Sequence, residues 1–279
     1  MSFRATEDPR VKFSAALLAA AIAFVPSSSG TVSVAYAASL VAAMEGPVAR
    51  ALAERTGVRF AGEAKGSRAL ANLIRAGLRD PDVFISADPS LLDGLASSYT
   101  IFGSARMVIA YSPNSPHAPQ FAAAARGKLP LLDALTAAGV RVGRTDPRLD
   151  PKGARTVRSV VRLGSFERLP KLAQILLARA GEYPEEDLTV RVETGALDAG
   201  FFYSTETARP GLRTIELPAG ANLSGEITYA LAVMPRAPHP LAARTFSNFI
   251  LSGEGRHMLE AAGVRYFSHP KVVKGKPPA

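Results

Sequence analysis

The residues of this 279-residue chain best suited to chemistry are small hydroxyls placed where an extended run gives way to a helical one. Ser39 follows the β-rich run TVSVAYA at 31–37, and Ser67, preceded by Gly66, opens the amphipathic stretch 67–78. A helix N-terminus presents unpaired N–H groups and the positive end of a dipole, so a hydroxyl donor there completes a cradle for an oxyanion. Capping the helix is the other use of such a serine, and the commoner one. Residue type alone leaves both readings open. Asp150 divides in the same way: followed by Pro151 it makes a sound helix start with no ligand needed, or it offers a carboxylate to a site. Glu193 precedes Thr194-Gly195, a helix end or a turn. A carboxylate at the negative end of a helix dipole is unfavourable by a few tenths to about 1 kcal/mol when exposed. That conflict points towards a functional role, while a solvated glutamate in a turn is the other and slightly commoner reading. Tyr203 closes an apolar strand and either donates its hydroxyl or packs.

Catalytic signatures are missing. There is no G-x-S-x-G, H-E-x-x-H, G-x-x-x-x-G-K-[ST] or G-x-G-x-x-G. His117, His239, His257 and His269 have no metal-ligand spacing and read as surface residues. The absence of cysteine excludes disulfides, thiolate metal sites, cysteine nucleophiles and a lipoprotein anchor. The pattern points to a protein that binds rather than catalyses, without a cofactor.

An alternation of β-rich runs and amphipathic helices must position these residues. Leu40, Met44, Val48 and Leu52 recur at four-residue spacing after the first strand, and 59–63 reads as the next strand. A helix over 67–78 turns Leu70, Leu73 and Ile74 inward, and 82–86 is a third strand. Such β/α steps imply a mostly parallel, helix-covered sheet, whose strand-to-helix junctions line a ligand crevice. Residues 104–111 read as one strand, after which the Pro- and Ala-rich SPNSPHAPQFAAAARG suggests entry into a second lobe. There, 140–143, 189–192, 199–202 and 229–233 are strand candidates, and 156–163 and 169–180 are helices. A helix over 242–262 is interrupted near Gly253, and the final KVVKGKPPA reads as a frayed tail. The division expected is a leader at 1–30, a first lobe at 31–107, a second lobe at 108–240 and a return to the first lobe at 241–279.

The leader rests on Arg4, Arg10 and Lys12 ahead of an apolar run at 14–25 and the small residues PSSSG, the order of parts in a cleaved signal peptide, although Glu7 and Asp8 are unusual there. The run is short of the ~20 apolar residues that cross a bilayer. A formal net charge of +9 raises nucleic acid as a partner. The basic residues are scattered among acids, however, with no run that interleaves aromatics, so a dispersed basic surface is expected instead. Its field would speed the arrival of anions.

Several segments together resemble a known family. YAASL (36–40), EAKGSRALANLIRAG (63–77) and DVFISADPSLLDGL (82–95) resemble the opening of the molybdate- and tungstate-binding proteins of ABC importers. GRTDPRLDPKGART (143–156), VETGALDAGFFY (192–203), IELPAGANLS (215–224) and GVRYF (263–267) are similar to the tungstate/molybdate branch found in archaea and some bacteria. The resemblance implies a two-lobed α/β periplasmic-binding-protein fold of the second type, each lobe a mixed, mostly parallel sheet covered by helices. It further implies an exported, periplasmic, monomeric protein that hands a small oxyanion to a membrane permease. By position, Ser39 and Ser67 match donors of the first lobe, Asp150 and Glu193 match carboxylates that complete the coordination of molybdenum or tungsten, and Tyr203 matches a tyrosine near the site. Lys152 stands where the branch often has Cys, and Ala154 where it often has Tyr. Two ionised carboxylates would repel a buried dianion, so these acids make sense only against the metal centre or when protonated. The alternatives are a sulfate, phosphate or ferric-ion binder on the same fold, or an enzyme or ligand-sensing regulator built on it.

Overall fold

A computed structural model describes residues 30–207 and 211–276. The expected leader therefore lies outside the described residues, Gly30 excepted.

The first lobe is built from β1 (Thr31–Ala37), α1 (Val41–Ala43), α2 (Ala49–Thr56), β2 (Arg59–Lys65), α3 (Ser67–Arg75), β3 (Val83–Ser86) and β4 (Ser98–Ala105). Its central strands are buried on both faces. Val32, Val34, Tyr36, Val83 and Ile85 belong to one core cluster, whereas Ala35 and Phe84, pointing the other way, pack with Leu70 in another. The Leu40, Met44, Val48 and Leu52 stripe is buried as expected. Four-residue spacing drifts off the face of a 3.6-residue helix, and the π-helical turn Met44–Val48, which contains Pro47, takes up that drift.

The second lobe comprises β5 (Met107–Tyr111), α4 (Ala118–Ala125), α5 (Leu131–Thr136), β6 (Val142–Thr145), α6 (Pro151–Phe166), α7 (Pro170–Arg179), β7 (Gly181–Tyr183), α8 (Glu185–Glu193), β8 (Ala199–Tyr203) and β9 (Arg213–Glu216). The chain then returns through β10 (Ile227–Val233), α9 (Pro240–Ile250), α10 (Gly253–Ala261) and β11 (Arg265–Lys274). Strand order is β11-β4-β10-β3-β1-β2 in one sheet and β7-β6-β8-β5-β9 in the other. Among the described residues, parallel pairing is confined to β1–β2, β1–β3, β6–β7 and β6–β8. Strands that enter or leave a lobe run antiparallel to their neighbours, so both sheets are mixed rather than mostly parallel. Among the described residues, no helix is long and apolar enough to cross a membrane.

Four expectations need correction. Residues 104–111 form not one strand but the end of β4 and all of β5, which lie in different sheets and meet at Arg106. There Arg106 Nη2 and Glu216 Oε1 pair at 2.6 Å beside the crossing. The return falls before β10, not at residue 241, because β10 pairs with β3 and β4 of the first sheet. Residues 189–192 are helical: Glu185, Glu186 and Asp187 occupy the first turn of α8, favourable at the positive end of its dipole, and Leu188 and Val192 are buried one turn apart. That pattern overrides the β preference of Thr and Val. The start of the C-terminal run is paired rather than frayed, since Lys271–Lys274 lie against Ser98–Ile101 beyond an irregularity in β11, while 277–279 lie outside the described residues.

Candidate functional site

The C-terminal ends of β1, β2 and β3 converge on one side of the cleft. Ser39 lies in the tight turn after β1 and is buried. Ser67, fully buried, opens α3 directly after β2, and its Oγ accepts the Ala87 N–H at 3.1 Å, tying the ends of β2 and β3 together. Neither serine caps its helix through its side chain, because the residues at the N-caps are Ala37 and Gly66.

From the other lobe, the C-terminal ends of β6, β7 and β8 supply Asp150, Glu185 and the segment Tyr203–Glu206. Asp150 caps α6, its Oδ1 accepting the Lys152 N–H at 2.6 Å. Its Oδ2 reaches across the cleft and accepts the Ser67 N–H at 3.1 Å. The carboxylate that caps α6 thus also joins the two lobes. The lobes can come this close because residue 66 is glycine: a Cβ there would stand 2.8 Å from the Leu149 carbonyl. Arg155 makes a second bridge, its Nη1 donating to the Ala87 carbonyl of the first lobe and to the Tyr203 hydroxyl of the second, each at 2.9 Å. A third chain of contacts joins Ser39, Tyr229 and Thr205: the Tyr229 hydroxyl donates to Ser39 Oγ at 3.1 Å and lies 2.9 Å from Thr205 Oγ1.

Ser39, Ser67, Asp150 and Tyr203 are therefore brought into one buried, hydrogen-bonded cluster. Glu193 is not. It is the last residue of α8, exposed, about 12 Å along the helix axis from the first. The acids that do enter the cluster are Glu185, at the opposite end of that helix, and Glu206. Lys152, fully buried, reaches Glu206 Oε1 at 2.6 Å and Glu185 Oε1 at 3.2 Å. Glu206 Oε2 accepts the Tyr203 N–H at 2.6 Å. Arg155, Lys152, Glu185, Glu206 and Tyr229 had not been singled out as site residues. One signal for two of them was legible: on α6, Lys152, Arg155, Thr156 and Ser159 share the helical face that continues to Val160 and Leu163, and all are buried.

Burial dominates the electrostatics. It pushes the Glu185 carboxyl well above the ordinary glutamate value, Asp150 adds to the rise, and Lys152 opposes it. Glu206 is raised by burial against the pull of Lys152. Burial pulls the Lys152 ammonium down, but Glu185, Glu206 and Asp150 together outweigh it and hold the group above its ordinary value. Three acids and the two cations Lys152 and Arg155 thus share a site of backbone N–H groups, hydroxyls and carboxyl groups. No cluster of His, Cys, Asp and Glu suited to holding a free metal ion occurs among the described residues.

Residues 32–265 match the model of a family described as bacterial extracellular solute-binding proteins. A protein of Haloferax volcanii, whose name assigns it molybdenum binding for an ABC transporter, is 36% identical over 170 residues, 60% of this chain and 54% of its own length. This chain thus matches only about half of that relative. The molybdate/tungstate-binding protein WtpA of Thermococcus kodakarensis is 27% identical over 274 residues, covering 79% of this chain and 76% of that one. Among solved structures, the periplasmic molybdate-binding protein of Azotobacter vinelandii superposes with a TM-score of 0.64 at 19% identity, over 83% of this chain and 97% of that one, a likeness of fold.

Proposed function

Since the chain belongs to the bacterial extracellular solute-binding proteins, we propose that it captures molybdate and tungstate outside the cytoplasm and passes them to the membrane permease of an ABC importer. The observation that carries this reading is the meeting of Ser67 N–H and Asp150 across the cleft, donor from one lobe and acid from the other. The relatives named for molybdate, tungstate or molybdenum supply the ligand class.

In this reading the oxyanion rests among the donors at the ends of β1, β2 and β3, with Ser39 and Ser67 nearest, and Asp150 and Tyr203 close over it from the second lobe. Uncharged donors at strand ends suit a dianion because they supply hydrogen bonds without the solvation cost of buried cations. Asp150 discriminates. Sulfate cannot expand its coordination and meets only a repelling carboxylate, whereas the larger metal centre of molybdate or tungstate can accept a carboxylate oxygen as a further ligand. A ligand touching both lobes favours the closed arrangement over any open one, and capture follows from that difference. A buried carboxylate would also suit a protonated oxyanion such as hydrogen phosphate, which is the second reading. Residues 1–30 are proposed as a cleaved signal peptide, and the mature protein as a monomer without catalytic activity.

Thermal unfolding with added anions tests the proposal. A ligand at 1,000 times its Kd stabilises the folded state by about 4 kcal/mol, so tungstate and molybdate should raise the melting temperature while sulfate and phosphate at equal concentration leave it in place. A rise with phosphate or sulfate and none with the metalates would overturn it.

A further inference from the structure

A hydroxyl group has one proton to donate and can accept hydrogen bonds besides. Three hydroxyls at the cleft already accept one: Ser67 Oγ from the Ala87 N–H at 3.1 Å, the Tyr203 hydroxyl from Arg155 Nη1 at 2.9 Å, and Ser39 Oγ from the Tyr229 hydroxyl at 3.1 Å. All three are buried, and none gives its own proton to an acceptor among the described residues. The bond to Ser39 is prepared from the far side of the cleft. Tyr229 commits its one proton to Ser39 Oγ, so its contact with Thr205 Oγ1 at 2.9 Å runs the other way, with Thr205 as donor. Thr205 follows β8 in the second lobe, Tyr229 lies in β10 of the first sheet and Ser39 follows β1. The order Thr205 to Tyr229 to Ser39 therefore passes from one lobe to the other, through side chains that are all buried.

Resting on the metalate reading above, we propose that Tyr229 is a positioning residue of the oxyanion site: supplied by Thr205, its hydroxyl holds Ser39 Oγ as an acceptor on one side and so turns the Ser39 proton to the bound oxyanion on the other. Tyr229 itself does not touch the ligand. Were the bond reversed, Ser39 would give its proton to Tyr229 and meet the oxyanion with lone pairs alone, which repel it. Accepting a bond also polarises the Ser39 O–H, and chained hydrogen bonds in a low-dielectric interior strengthen one another by roughly 10–30% each. Ser67 and Tyr203 are set in the same sense by Ala87 and Arg155. Hydroxyls fixed as donors suit an oxyanion that carries no proton of its own, as molybdate and tungstate do not at neutral pH. Asp150 then separates these from sulfate, which is equally deprotonated.

The test is a double-mutant cycle of tungstate affinity over wild type, Tyr229→Phe, Ser39→Ala and the double variant. Phenylalanine removes only the hydroxyl and keeps the ring that stacks on Phe102, with centroids 6.2 Å apart. Ser39→Ala should bind about tenfold or more weakly, the loss of one charge-assisted hydrogen bond, and Tyr229→Phe about threefold or more weakly. The double variant should bind no more weakly than Ser39→Ala, because Tyr229 acts only through Ser39. A merely structural tyrosine would add its own loss to that of Ser39→Ala. Additive losses, Ser39→Ala as tight as wild type, or Tyr229→Phe as tight as wild type or tighter would each overturn the assignment, the last by showing that Ser39 gives its proton to Tyr229. Nuclear magnetic resonance of the wild type gives a reading independent of the variants' folding. The buried Ser39 hydroxyl proton should move downfield when tungstate is added, and an unmoved resonance overturns the proposal. Failure of wild type itself to bind tungstate would instead overturn the functional reading on which the proposal rests.

Discussion

Removing the buried ammonium of Lys152 should unbalance the core of the second lobe more than any other single change at the site. Lys152→Met fills a similar volume but loses the ammonium that lies 5.6 Å from the centres of the Phe202 and Tyr203 rings. What it takes away is the partner of Glu206 at 2.6 Å and of Glu185 at 3.2 Å, all three side chains being 6% exposed or less. Breaking one side of a buried ion pair costs roughly 3–5 kcal/mol. At about 2–4 °C per kcal/mol for a chain of this size, the melting temperature should fall by roughly 6–20 °C at neutral pH. The loss also depends on pH with a definite sign. In the variant Glu206 must keep a proton or be buried as an unpaired anion, so its folded pKa lies above the unfolded value, as burial already drives it in wild type. Folded protein then retains a proton that unfolded protein releases. The deficit is smallest below the ordinary glutamate value and grows as pH rises towards the folded one, by up to about 1.4 kcal/mol per pH unit for each proton retained. The assay is thermal unfolding of wild type and variant without ligand at pH 5 and pH 8. A deficit under about 1 kcal/mol at pH 8, or an equal deficit at both values, would refute the assignment of Lys152 as the counter-charge of these acids.

Asp150→Asn should leave unfolding without ligand within about 1 kcal/mol, since Asn caps a helix nearly as well, yet lower tungstate affinity about tenfold or more through loss of the cleft carboxylate; unchanged affinity in calorimetry would count against Asp150 as a ligand. Glu193→Gln, at the exposed end of α8, should change neither affinity nor stability by more than about 0.5 kcal/mol. A clear loss of affinity there would restore the role that the resemblance gave it. Gly66→Ala is compatible with the local backbone at φ −53°, but its Cβ would meet Leu149 and Asp150 across the cleft. Small-angle scattering should then show less tungstate-driven compaction than in wild type, and equal compaction would show that the close approach at Gly66 is not needed for closure.

The parts of the candidate site that depend on local signals were legible in the sequence. Ser39 and Ser67 could be placed because a strand pattern changes to a helix pattern at each of them, and Asp150 because Asp-Pro marks a helix start. Glu193 was singled out by a signal that was itself correct: Thr194-Gly195 does end a helix, Gly195 having a φ of +76°, but that end is exposed, and the buried acid of the same helix is Glu185 at its start. Glu185 was hidden in YPEEDL, where acids in a first turn need no explanation beyond the helix dipole. The Lys152 network could not be read from spacing at all, because its acids come from 33 and 54 residues further along the chain and meet it only through the sheet order. The same limit explains the strand at 104–111. Met107, Ile109 and Tyr111 continue an apolar pattern that begins in β4, and nothing local records that the chain changes sheets at Arg106.

The most direct test is calorimetric titration of the wild-type protein with tungstate, molybdate, sulfate and phosphate in turn, each metalate titration repeated with sulfate in excess. Tungstate and molybdate should bind at one site per chain, well below micromolar concentration, and excess sulfate should leave that affinity unchanged. Sulfate or phosphate binding as tightly as the metalates, or displacing them, would contradict a cleft that selects its ligand by letting Asp150 approach the metal centre.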